Sequence, residues 1–111
     1  MNIHNDLTQE RWNKRTILFQ MANVGTDFER ALDWRARGEP DDSEAALWRG
    51  LGLLALTIRD PKNNKRRKEL RYIKEIMLDY FYGDNQYGYT DEALHQYFFW
   101  YAHAAAIERG R

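Results

Sequence analysis

M-A-N-V-G-T-D-F-E-R-A-L-D-W, residues 21–34, places Met21, Val24, Phe28, Ala31 and Leu32 at three- and four-residue steps. That spacing is one face of an α-helix, and Ile17 and Leu18 extend it upstream. Asn23, Gly25 and Thr26 interrupt the stretch with poor helix formers. At about 100° per residue the three point in different directions. Gly25 lies at the edge of the apolar stripe, where a neighbouring helix can come close, at about 1 kcal/mol of helix propensity relative to alanine. Gly50 and Gly52 can do the same in the next helix. Thr26 points away from the core. Asn23 belongs to a polar line, Gln20, Asn23, Asp27, Arg30 and Trp34, that flanks the stripe on its other side.

Outward from this stretch, the spacing predicts three more helices. The first helix opens near Asp6 or Thr8, whose short side chains can cap it, and stops at Gly38 before Pro40. The second opens on a capping box of Asp41 and Glu44, turns Leu47, Leu51, Leu54, Ala55 and Ile58 inward, and ends at Asp60-Pro61. Asn63 or Asn64 caps the third, which buries Leu70, Ile73, Met77, Tyr80 and Phe81 and stops at Gly83. After a turn-rich G-D-N-Q-Y-G-Y, Thr90 caps the fourth, with Leu94, Tyr97, Phe98, Tyr101, Ala102 and Ala105 inward. Strand-like alternation and internal repeats are absent. The expected fold is all-α, one domain over residues 1–111: an antiparallel up-down-up-down four-helix bundle with a long first helix. That helix, at about 30 residues, spans ~45 Å. Its polar start, T-Q-E-R-W-N-K-R, is therefore expected to overhang, bend or dock elsewhere.

Composition narrows the function classes. The 111-residue chain has no cysteine, which excludes disulfides, thiol nucleophiles and cysteine zinc sites. Seventeen basic and 17 acidic residues cancel, so any electrostatic role comes from patterning. No apolar run approaches the ~18 residues needed to span a membrane, and M-N-I-H-N-D-L lacks a signal-peptide pattern. The expected location is cytoplasmic, with no membrane partner.

The charges are sorted along the chain. Lys62, Lys65, Arg66, Arg67, Lys68, Arg71 and Lys74 follow Arg59, opposed only by Asp60 and Glu69. In an up-down bundle this connection shares an end with Arg11, Lys14, Arg15, Arg109 and Arg111, while acidic residues gather at the other end. Arg67, Arg71 and Lys74 fall at i, i+4 and i+7, a spacing that can track an RNA or DNA backbone. A solvated face, or contact with an acidic protein surface such as that of another copy, fits the same run.

The fourth helix is too apolar for the edge of a monomer. Once its inward stripe is assigned, Phe99 and Ala106 remain on one flank and Trp100, Ala104 and Ile107 on the other. This predicts a homo-oligomer or an obligate protein partner, unless the start of the first helix covers the surface. Glu92-x-x-His95 is half of a di-iron motif without the second half, so no metal and no cofactor are expected. The Gln20–Trp34 line reads either as a bonded polar boundary or as the wall of a groove.

M-A-N-V-G-T-D-F-E-R-A together with D-Y-F-Y-G-D-N-Q-Y-G (79–88) resembles a family of short helical prokaryotic proteins. The layout is similar to the 23S rRNA intervening-sequence proteins and the accessory proteins of diversity-generating retroelements. That resemblance implies an oligomer and, for the retroelement accessories, association with nucleic acid and a reverse transcriptase. This chain departs from them in being neutral. It also resembles HEPN bundles, but no arginine stands four to six residues before His95 or His103, as the HEPN ribonuclease signature requires. The leading expectation is a non-enzymatic, self-associating adaptor with a candidate nucleic-acid contact at its basic end. The alternative is a HEPN-like enzyme or toxin-type nuclease using Asn23, Asp27 and Arg30.

Overall fold

Two threonines start two helices where the sequence pattern suggests one. The computed structural model describes residues 8–110. In it, Thr8 Oγ1 accepts the Arg11 N–H to open α1 (Gln9–Asn13), and Thr16 Oγ1 accepts the Phe19 N–H to open α2 (Ile17–Ala36). The long first helix is thus corrected to two, broken at Lys14–Thr16. Apolar periodicity does not register the break, because the polar turn falls between apolar positions. The proposed Asp6 cap, like Arg111, lies outside the described residues.

The other elements are α3 (Pro40–Arg59), a 3-10 segment (Pro61–Arg66), α4 (Arg67–Tyr82) and α5 (Asp91–Arg109), so every regular element among the described residues is helical. No helix among them is long and apolar enough to cross a membrane. Gly38, at φ +76°, closes the connection from α2 to α3, and Thr90 Oγ1 caps α5 through the Ala93 N–H. Two expected caps differ. α3 begins on Pro40, and in place of an Asp41–Glu44 box, Ser43 Oγ donates to the Ala31 carbonyl and ties α3 to α2. Neither Asn63 nor Asn64 caps the start of α4; they lie inside the 3-10 segment, which Asp60 caps through the Lys62 N–H.

α2 runs through the middle of the core. Met21, Val24, Phe28, Ala31 and Leu32 are buried against Leu47 and Leu54 of α3, Leu70 and Met77 of α4, and Leu94 and Phe98 of α5. The close approaches fall at glycines. A Cβ at Gly25 would stand 3.0 Å from Phe98 Cβ, and one at Gly50 only 2.6 Å from the Phe28 ring. Ala102, expected inward, is exposed. Hydrogen bonds join the element ends: Thr16 to Glu108 and Lys62 Nζ to the Asn13 carbonyl at one end, Arg35 Nη1 to the Tyr80 carbonyl and Tyr80 to Asp91 at the other. Burial, and then the bond to Asp91, push the Tyr80 phenol up to about 12.

Candidate functional site

The polar line on α2 divides among three environments. Gln20 leaves it altogether and is fully buried at the corner of α1, α2, α3 and the 3-10 segment. Its Nε2 donates to the Trp12 carbonyl (3.0 Å) and to Asp60 Oδ2 (2.8 Å), and its Oε1 accepts from Asn63 Nδ2 (2.9 Å). Asn63 also donates to the Thr57 carbonyl, and Trp12 Nε1 donates to Thr57 Oγ1 at 2.9 Å. This hub satisfies the polar groups that end α1 and α3, so it is a structural knot rather than an open surface. Burial alone would raise the Asp60 carboxyl. Hydrogen bonds from Lys62 and Gln20, with the Lys62 charge, outweigh it and hold the group below the ordinary carboxylate range.

Asn23, Asp27 and Arg30 stay together. Asn23 Nδ2 donates to the Phe19 carbonyl of its own helix. Asp27 is buried, with Oδ1 3.7 Å from Arg30 Nη1 and 3.8 Å from Arg49 Nε. With Thr26 and Trp12 they line a shallow depression of about 390 Å³. Arg49 is the member that sequence reasoning missed. It comes from α3, beside the Gly50 that lets α3 approach, and only the α2–α3 crossing reveals it. Trp34 sits apart, half-buried, with the Arg37 guanidinium 5.3 Å above its ring.

The basic run divides too. Lys62 is engaged by Asp60 and the Asn13 carbonyl, and Arg67 Nε donates to the Ile58 carbonyl at 2.9 Å. These two cations hold α1 and α4 against the end of α3. Lys65, Arg66, Lys68, Arg71 and Lys74 are exposed.

On α5, Phe99, Trp100 and Ile107 are 64%, 57% and 50% exposed, with Ala106 exposed and Ala104 half-buried beside them. The Phe99 ring stacks on His103 with centroids 6.1 Å apart. α1 does not cover this face; it packs on α3 through Trp12 and through Gln9 Nε2, which donates to the Leu56 carbonyl. His95 turns toward α2, with Nε2 3.3 Å from Asp33 Oδ1 and Nδ1 4.0 Å from Glu29 Oε2. Burial raises the Glu29 carboxyl, His95 lowers it and Asp33 raises it further. Among the described residues no group of three or more His, Asp or Glu side chains is arranged to hold a metal ion.

Comparison of the chain with protein-family models, curated proteins and solved structures finds no match.

Proposed function

We propose that this chain is a non-enzymatic helical module that self-associates through the outer face of α5. In this reading the four long helices form an up-down bundle whose role is to present that face. The exposure of Phe99, Trp100 and Ile107 on one uncharged arc carries the reading. A second copy is the favoured occupant for two reasons. From Leu94 to Ile107 the helix has no lysine, arginine, aspartate or glutamate, so a two-fold contact meets no like charges. The chain is also neutral, so copies do not repel at long range. Sedimentation at tens of micromolar is expected to give a dimer or larger species. Trp100→Glu with Ile107→Glu is expected to give a monomer of unchanged helical circular dichroism. A wild-type monomer at that concentration overturns the proposal.

A second surface supports contact with a nucleic-acid backbone. Lys65, Arg66, Lys68, Arg71 and Lys74 are exposed, and their side chains make no hydrogen bond or ion pair among the described residues. Because Lys62 and Arg67 are structural, the informative variant is Lys65→Glu with Lys68→Glu. Oligonucleotide affinity followed by fluorescence anisotropy is expected to fall steeply with salt, and at least tenfold in this variant. Salt-insensitive binding, or an unchanged variant, refutes the contact.

A further inference from the structure

Beside the basic surface, and sharing Arg71 and Lys74 with it, α3 and α4 flank an open groove of about 440 Å³, within the range of roughly 300–1,000 Å³ that small-molecule sites occupy. Two inter-helix bridges bound it. At one end Trp48 Nε1 of α3 donates to the Tyr82 hydroxyl of α4 at 3.1 Å, with the rings 6.4 Å apart. At the other end Arg67 Nε of α4 reaches the Ile58 carbonyl of α3. Between the bridges the floor is apolar: Leu51, Ala55 and Ile58 from α3, and Leu78 from α4.

The polar lining is one-sided. Arg59, Arg71 and Lys74 line the groove and are exposed, and none of their side chains makes a hydrogen bond or ion pair among the described residues. The carboxylate in the lining, Glu75, accepts a hydrogen bond from the Tyr87 hydroxyl at 3.1 Å. Positive charge therefore gathers at the Arg59 and Arg71 end of an apolar trough, and the Trp48–Tyr82 pair joins the two helices beyond Leu51 and Leu78. Solubility does not require three cations around an apolar floor. A ligand with an anionic head and an apolar tail satisfies both halves at once.

We propose that the α3–α4 groove binds a small amphiphilic anion. Its phosphate or carboxylate head is held by Arg59, Arg71 and Lys74, and its alkyl tail lies over Leu51, Ala55 and Leu78 toward the Trp48–Tyr82 pair. Two guanidinium groups suit a head with two or three anionic oxygens, which each arginine can engage in a bidentate fork.

Calorimetric titration of the full chain below the micellar concentration tests this, with decyl phosphate, sodium decanoate, decanol and inorganic phosphate as probes. Decyl phosphate or decanoate is expected to bind saturably, one per chain, and their ratio tells which head group the cations prefer. Decanol and inorganic phosphate are each expected to bind at least tenfold more weakly, since each keeps only half of the complementarity. Octyl phosphate, two methylenes shorter, is expected to be about tenfold weaker than decyl phosphate. Arg71→Gln with Lys74→Gln, both on the exposed rim, is expected to weaken alkyl-anion binding at least tenfold without loss of helicity. Ala55→Phe, which fills the floor, is expected to do the same. Equal binding by wild type and the rim variant overturns the proposal, because the amphiphile then sits elsewhere, as on α5. Inorganic phosphate binding as tightly as decyl phosphate overturns it as well. So does an oligonucleotide that depends on Arg71 and Lys74 while no alkyl anion binds.

Discussion

Gln20→Leu is expected to lower the stability of the chain by about 3 kcal/mol, a fall in Tm of roughly 10–20 °C. Leucine is close to glutamine in volume, so loss of packing contributes little. The cost is polar. Removing the amide takes a donor from the Trp12 carbonyl, a donor from Asp60 Oδ2 and the acceptor of Asn63 Nδ2, all of them buried residues. Each group left short costs about 1–3 kcal/mol, and Asn63 keeps its second bond to the Thr57 carbonyl, which limits the total. Gln20→Glu separates polarity from shape. It keeps the size but sets a second carboxylate against Asp60, so it is expected to be at least as damaging at neutral pH. Urea denaturation of the three proteins measures this, and a Gln20→Leu midpoint within error of wild type refutes it.

The same hub predicts how stability responds to acid. The Asp60 carboxyl sits below its ordinary value of about 3.9 when folded. The stability it contributes is therefore full above that ordinary value and drains away as pH falls through it toward the lowered folded value. Wild type is expected to lose stability as pH falls below about 4, and Gln20→Leu, which removes one of the bonds holding Asp60 low, to lose less over the same descent.

Gln20 also marks where the sequence stops being legible. The apolar stripes of α2, α3 and α4 were readable because burial follows helical period, and Met21, Phe28, Leu54 and Met77 are all fully buried. Helix ends were readable where one local cause decides them, as at Thr90 and Asp60-Pro61. The break at Lys14–Thr16 was not, although Thr16 is as good a cap as Thr8. A break inside a periodic segment is settled by what the folded-back α1 finds, and Trp12 finds Thr57, 45 positions along the chain. Helical period sets Gln20, Asn23, Asp27, Arg30 and Trp34 along one helix. It could not show that Gln20 meets Asp60 and Asn63, nor that Arg49 joins Asp27. Such partners come from helix crossings, which periodicity does not encode. The α3–α4 groove was invisible for the same reason: its two walls are separate stripes until the Trp48–Tyr82 and Arg67–Ile58 bridges set their spacing.

Gly50→Ala is expected to destabilise the chain by about 2 kcal/mol, although alanine is the better helix former by about 1 kcal/mol. The added Cβ would stand 2.6 Å from both Phe28 Cδ1 and Cε1 and 3.3 Å from Asp27 Cβ. An aromatic ring can yield where it has room, but Phe28 is fully buried and its ring lies 5.3 Å from that of Phe98. Relief must come from α3 moving off α2, which loosens the apolar packing between them and spreads Asp27 from Arg49. The gross clash, about 3 kcal/mol, therefore exceeds the propensity gain. Gly25→Ala is the internal control. Its Cβ would meet Phe98 at 3.0–3.4 Å, a milder overlap that the same propensity gain largely offsets, so a change within about 1 kcal/mol is expected. The difference between the two variants, read from paired denaturation curves, isolates the contact from the helix propensity they share. If Gly50→Ala proves as tolerated as Gly25→Ala, the close α2–α3 approach is not what positions Arg49 beside Asp27.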